Sequence, residues 1–245
     1  MMGSLFKWEL RQTFSSKSFW VTGAALIFLP ALMLIMTLNG SEFTGYEAYL
    51  EGLNNYNSFA MLIVGVFAGV QITGAFEGRR IQAAVMAGNS RISILLAKFL
   101  SYSLTIGIFS IVSLLASTMT AFAMKGTVGI EGTFARSVVI RVLVFTFVEA
   151  AYAAACFLSS MFIRHLGGAI GFNLMIMMAL NIAAQSLIEH KWAEKFLRMI
   201  PAGQAIFVLT DVSNKNILMA LASAVITFAA VLCLSYVKFG KEELK

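Results

Sequence analysis

One carboxylate lies deep inside an apolar run. Glu149 sits in VLVFTFVEAAYAAACFL, residues 142–158, and is the one acid well inside such a run. A charge at the middle of a bilayer costs at least roughly 2.5–3.5 kcal/mol, so this group must be protonated, paired or facing water. Arg141 stands two turns earlier on roughly the same helix face, but about 12 Å away along the axis at about 1.5 Å per residue, too far for a direct pair. Two chemistries fit an intramembrane pair of charges such as Glu149 and Arg141. Glu149 could relay protons, as in a secondary transporter, or close a polar knot within a helix bundle; the knot is the preferred reading. Four amides in apolar surroundings, Gln71, Asn173, Asn181 and Gln185, pose a related choice. Asn173 and Asn181 are eight apart and share a helix face with Gln185 nearby. Such faces seldom point at lipid. They line a path or hydrogen-bond a neighbouring helix, and interhelical bonding is favoured because amide pairs are common packing glue.

Catalytic and metal chemistry finds little footing. His165 and His190 stand apart, and neither has a metal-ligand neighbour three or four residues on. No HExxH or GxSxG occurs, and no paired aspartates lie in the apolar runs, so no catalytic residues and no metal ligands are assigned and the chain is expected not to be an enzyme. Cys156 and Cys233 both lie in apolar runs and read as small packing residues. No GxxxxGK[ST] is present. The nearest glycine cluster, GTVGIEG at 126–132, lacks the lysine that reaches phosphates, so the chain is expected to bind no nucleotide cofactor itself.

The elements that must position these residues follow from composition. Of 245 residues, 59% are hydrophobic and 12% charged, against about 25% charged in soluble domains. That points to an all-α, polytopic membrane protein forming one transmembrane domain over residues 1–245. The net charge of +6 flanks apolar runs, which favours a topology signal over a nucleic-acid footprint. A bilayer core needs about 20 apolar helical residues. Six runs qualify: 19–38, 59–76, 99–124, 138–163, 166–188 and 217–237. Lysine and arginine near the run ends number eleven on the side of the termini and seven on the other. The first loop of that second side, 39–58, has three glutamates and no cation. Both termini are therefore expected in the cytoplasm, with the protein in the cell membrane. Residues 3–18, GSLFKWELRQTFSSKS, read as an amphipathic helix at the interface. Residues 189–216 carry Trp192, Phe196, Met199 and Ile200 at helical spacing, then Pro201-Ala-Gly203, and read as a re-entrant or interfacial segment on the outer side. Gly65 and Gly69, and likewise Gly167 and Gly171, have the GxxxG spacing of close helix packing.

The densest cationic patch is FEGRRIQAAVMAGNSRISILLAKFL, residues 76–100, between the second and third runs. Ile81, Ala84 and Val85 give a short helix an apolar stripe. Gly88 sits where such a helix stops, and Asn89 or Ser90 can cap the next one. A short helical elbow transmits force, which a floppy loop cannot. Its cations also suit phosphate headgroups.

With its LFKWELRQ lead-in, six runs, this elbow and the outer segment, the chain resembles the permease subunits of bacterial type-2 ABC exporters, the group with antimicrobial-peptide, bacitracin and lantibiotic-immunity transporters. Glu77, Ser90–Arg91 and Lys98 match the group's pattern of an acid after span two, a Ser-Arg pair and a lysine entering span three. The resemblance covers essentially the whole chain and rests on architecture more than on any signature. It implies that residues 77–93 hold a coupling helix that docks on a separate cytoplasmic ATPase, with Arg79, Arg80, Ile81, Gln82, Ala84 and Val85 on it and Asn89 and Arg91 at its exit. It implies that ATP and magnesium are used by that partner, and that a second copy or homologous permease completes a path bordered by spans two and five, with Gln71, Asn173, Asn181 and Gln185 along it. The expected function is ATP-driven export, with an amphipathic, antimicrobial or toxin peptide as the favoured substrate. The alternative is a stand-alone ion- or proton-coupled carrier or channel, for which Glu149 is the acid. No convincing inverted repeat relates the two halves.

Overall fold

Small hydroxyl residues open several of the helices. The structure, a computed structural model, describes residues 2–126, 134–187, 196–210 and 212–241. Helix α1 (Met2–Phe14) turns sharply into α2 (Lys17–Leu38), which Ser16 caps by accepting from the Phe19 amide at 3.2 Å. The Trp20 indole reaches back and donates to the Phe14 carbonyl at 3.1 Å, serving one of the free acceptors that end α1. Thr44 opens α3 (Gly45–Ala68) with a capping box: its hydroxyl accepts from the Glu47 amide, and the Glu47 carboxylate accepts from the Thr44 amide at 2.8 Å.

Helix α3 runs on through a π-helical turn, Gly69–Thr73, into α4 (Gly74–Glu77). The short α5 (Arg80–Met86) follows, and then α6 (Arg91–Lys125), capped by Ser90, which accepts from the Ser93 amide at 3.2 Å. The remaining helices are α7 (Phe134–Phe162), α8 (Leu166–Leu187), α9 (Pro201–Thr210) and α10 (Asn214–Lys241). Six stretches are long and apolar enough to cross a bilayer: Lys17–Leu38, Gly45–Glu77, Arg91–Lys125, Ser137–Phe162, Leu166–Ser186 and Asn214–Phe239. No strand occurs among the described residues. The chain is an all-α multi-pass membrane protein, the form that satisfies every backbone group within lipid.

Helices α3, α6 and α7 form the centre, where Tyr49, Tyr56, Phe67, Phe145 and Phe157 are fully buried. Of the span windows, α7 is 61% buried and α8 only 17%. The rim helices α2, α8 and α10 therefore present most of their apolar surface outward.

Two boundaries, the start of the second membrane helix and the extent of the loop before it, differ from the sequence reading. The second membrane helix begins at Gly45 rather than residue 59, because the Thr44 capping box starts the helix in what the sequence suggested was loop. The outer loop shrinks to residues 39–44, and the Lys125 ammonium ties it down by donating to the Ser41 carbonyl at 2.6 Å. Helical residues 196–197 end in a turn at 198–199, so a helix does stop ahead of Pro201, and Pro201 begins α9 at the position where its missing N–H costs nothing. At ten residues α9 is too short to cross, and it packs against α7, α8 and α10 with Ala202, Ala205 and Val208 buried. Most of GTVGIEG, together with His190, Lys191, Trp192, Glu194 and Lys195, lies outside the described residues.

Candidate functional site

The elbow between the second and third membrane helices is a built element. Helix α5 ends in a Schellman motif: Gly88, at φ +84°, donates to the Val85 carbonyl at 2.9 Å, and the Asn89 amide donates to the Ala84 carbonyl at 3.3 Å. Only glycine takes that backbone conformation without strain. At its other end Arg79 has φ +55°, the one non-glycine residue of positive φ among those described. A left-handed arginine costs roughly 1–2 kcal/mol, so the surroundings hold the turn against its local preference.

The side of α5 turned to the bundle is apolar. Ile81 is 1% exposed and shares its surroundings with Ile72, Phe76, Ile94, Leu95 and Phe157, while Ala84 and Val85 pack at the edge of the same cluster. This corrects the assignment of Ile81 to a docking surface: it roots the elbow in the bundle. Gln82 is half-buried. Asn89 spends its side-chain amide on the Ala84 carbonyl at 3.0 Å, and Arg91 donates to the Phe239 carbonyl at 3.2 Å, so both hold the elbow in place and are not free for a partner. The outward face consists of Arg79, Ala83, Met86 and Ala87. Met86 is 82% exposed and was missed in the sequence, where its apolar character suggested a buried position.

Other helices meet the elbow. The Glu77 carboxylate accepts from the Leu166 amide at 2.8 Å, placing an acid at the start of α8. The Phe76 ring meets Phe239 of α10 edge-on, with centroids 6.2 Å apart. Lys98 turns inward and bonds to Glu9 of α1 at 3.0 Å, with Glu9 5% and Lys98 9% exposed. Both are buried, so Lys98 is not among the elbow cations that could meet headgroups. A movement of α5 therefore bears on α6, α8 and α10, and the π-helical turn above it interrupts the regular hydrogen-bond ladder of the second span, as such turns often do at functional sites.

At mid-bundle, Glu149 of α7 and Arg141 do not pair. The Tyr56 hydroxyl donates to Glu149 Oε2, as does the Ser110 hydroxyl at 2.8 Å, which joins α3, α6 and α7. Glu149 Oε1 and the Tyr152 hydroxyl have no hydrogen-bond partner among the described residues. Both residues line a space of about 10 Å³ closed by Pro201, Ala202 and Ala205 of α9, about the size of one water. Arg141 lies between the Tyr46 and Tyr49 rings, 5.8 Å from each centroid, and donates to the Tyr46 hydroxyl at 3.2 Å.

The four amides do not form one strip. Asn173 is fully buried and donates to the Gly65 carbonyl at 3.0 Å and to Ser160 Oγ at 2.9 Å, while its own oxygen accepts from Ser159. It is interhelical glue, not path lining. Asn181 is half-buried, and Gln185 is exposed and donates to it at 2.7 Å. Gln71 lies on another side of the bundle, 3.5 Å from Ser16 Oγ, beside Glu9 and Lys98. The two GxxxG pairs also separate. A Cβ on Gly65 would meet Asn173 at 3.1 Å and one on Gly69 would meet Ile170 at 2.7 Å, so α3 and α8 touch through these glycines. Gly167 and Gly171 would meet nothing within 4 Å and pack against no part of the described chain. Gly23 does what their spacing suggested, with Phe109 at 2.9 Å, although no motif flags it.

Among the described residues no group of His, Cys, Asp or Glu side chains is placed to hold a metal ion. No protein-family model and no curated protein matches this sequence.

Proposed function

We propose that the chain is the permease subunit of an ATP-driven exporter, moved by a separate ATPase that docks on α5 from the cytoplasm. The observation that carries this reading is the two-faced elbow: a seven-residue helix rooted by Ile81, stopped by Gly88, and presenting Met86 and Arg79 outward on the side of the chain termini. Six spans put both termini on one side, and the elbow joins the second span to the third, so it lies on that side too. The excess of lysine and arginine there supports a cytoplasmic assignment. The outward apolar faces of α8 and α10 suit a second permease copy, and an amphipathic peptide suits a path with few fixed charges. A photocrosslinker at Met86, in membranes of the source cell, is expected to capture a polypeptide that binds ATP. The same group at Met119, exposed on α6 near its end away from the elbow, is the control and is expected to capture none. Capture of the same ATP-binding polypeptide from both positions, or from neither, would contradict the reading.

A second reading has one observation in its favour. Glu149 has one carboxylate oxygen without a partner among the described residues and lines a water-sized space in the bundle, as a proton-coupled carrier would need. Liposomes holding the chain alone separate the two readings, since only the carrier would give gradient-driven flux.

A further inference from the structure

A groove of about 410 Å³ runs between α1 and α5, lined chiefly by Leu5, Trp8, Arg80, Ala83, Ala84 and Ala87. Its walls are mostly apolar, with Ser4, Arg80 and Asn89 as the polar part of the lining. Arg80, half-buried, has its guanidinium beside the backbone of Gly74 and Gly78 and close enough to Lys98 to feel that charge. Neither an ion pair nor a hydrogen bond to Arg80 occurs among the described residues. Of the other cations of the elbow region, Lys98 is met by Glu9 and Arg91 by the Phe239 carbonyl, while Arg79 stands exposed. The nearby acids are also occupied, Glu9 by Lys98 and Glu77 by the Leu166 amide. Lys7 and Arg11 on α1, and Arg79 beside Arg80, add positive charge that no acid of the described chain meets.

A half-buried guanidinium with no anion of its own among the described residues suits one from outside. Trp8 is 48% exposed at the groove's edge, on a helix whose other face packs on the start of the third span. Tryptophan so placed marks headgroup depth. A mostly apolar channel at that depth, lined in part by a fork of donors that matches phosphate, suits one ligand class. We propose that this groove binds an anionic phospholipid, with its phosphate on Arg80 and an acyl chain along Leu5, Trp8 and the three alanines of α5. The inference rests on the membrane architecture and not on the ATPase reading, and it stands if that reading fails. A lipid so placed would bridge α1 to the elbow and bias how far α5 can move.

The test uses the full chain carrying Trp20→Phe and Trp192→Phe, reconstituted in phosphatidylcholine vesicles and excited where tyrosine does not absorb, so that Trp8 is the only tryptophan read. Phosphatidylglycerol brominated on its acyl chains is expected to quench Trp8 severalfold more per lipid than brominated phosphatidylcholine. Arg80→Gln is expected to remove that difference while leaving quenching by brominated phosphatidylcholine as it was. Equal quenching by the two lipids in the Arg80 protein would overturn the proposal before any change at Arg80 is made. So would a preference that survives Arg80→Gln. Soluble glycerol phosphate is expected not to compete; competition would mark a free-phosphate site and overturn the lipid assignment.

Discussion

Glu9 and Glu149 are both more than nine-tenths buried, yet the bundle holds them by different means. Glu9, on the interfacial helix, meets the Lys98 ammonium and so has a full counter-charge. Glu149, at mid-bundle, meets only the neutral hydroxyls of Tyr56 and Ser110 among the described residues, and its second oxygen has no partner there. At the mouth, a charge pair fixes α1 to the third span in one register. At the centre, hydroxyl contacts satisfy one oxygen and leave the other free to gain or lose a partner if α9 moves. The elbow α5 lies beside the charged pair and α9 beside Glu149. Under the proposed exporter reading, the charged pair would stiffen the end that the ATPase drives, and the seam at α9 would be the looser one.

The sharpest way to break the comparison is to remove one partner of the charged pair. Lys98→Met strands a buried carboxylate and is expected to cost about 3–5 kcal/mol. The double change Glu9→Leu/Lys98→Met is expected to recover most of that loss. Unfolding of the purified protein in mild detergent, followed by circular dichroism, reads both. A single variant as stable as the parent would mean that the pair is not the staple described.

Next in size is the seam at α9. A Cβ on Gly203 would fall 2.1 Å from the Leu197 carbonyl oxygen, which is backbone and cannot swing aside. Gly203→Ala is therefore expected to cost about 1–3 kcal/mol and to loosen α9, seen as faster proteolysis near residue 200 with the central spans intact. Tyr56→Phe removes one donor from Glu149 and is expected to cost about 0.5–1.5 kcal/mol, the range for a hydrogen bond without an opposite charge. A loss as large as that of Lys98→Met would erase the contrast between the two acids. Glu149→Gln keeps the size of the side chain and an acceptor, and is expected to cost about 1 kcal/mol or less while transport continues. Abolished transport in a folded complex that still hydrolyses ATP would instead favour the carrier reading. Smallest is Arg79→Gly, which relieves a left-handed arginine and is expected to raise stability by about 1 kcal/mol or less.

How much of this was legible in the sequence depended on the range of the interaction. The six spans were readable because the bilayer demands runs of about 20 apolar residues, and Gly88 was readable because a helix stop is local. The Thr44–Glu47 capping box was also local and could have moved the start of the second span, had its T-x-x-E signature been weighed against the acidic loop around it. The Glu9–Lys98 pair joins residues 89 apart, and no spacing rule announces it. Gly65/Gly69 and Gly167/Gly171 have the same spacing, but only the first pair meets a neighbour in the chain, because spacing specifies a smooth helix face and not what covers it. Asn173 and Asn181 differ for the same reason: eight residues return a side chain only roughly to its starting direction, which is enough to bury one and half-expose the other. Met86 was unreadable as an outward residue because its type alone argues for burial.

The most direct test of the central claim is Mg-ATP hydrolysis by the tagged chain purified from its own cells in mild detergent, compared with Met86→Asp. The change adds a charge to an exposed face of α5 and leaves Ile81 seated, so the fold is expected to survive. The parent preparation is expected to hydrolyse ATP through a bound second polypeptide, and the variant to lose both polypeptide and hydrolysis. Equal hydrolysis by the two preparations, or none by either, would contradict the account.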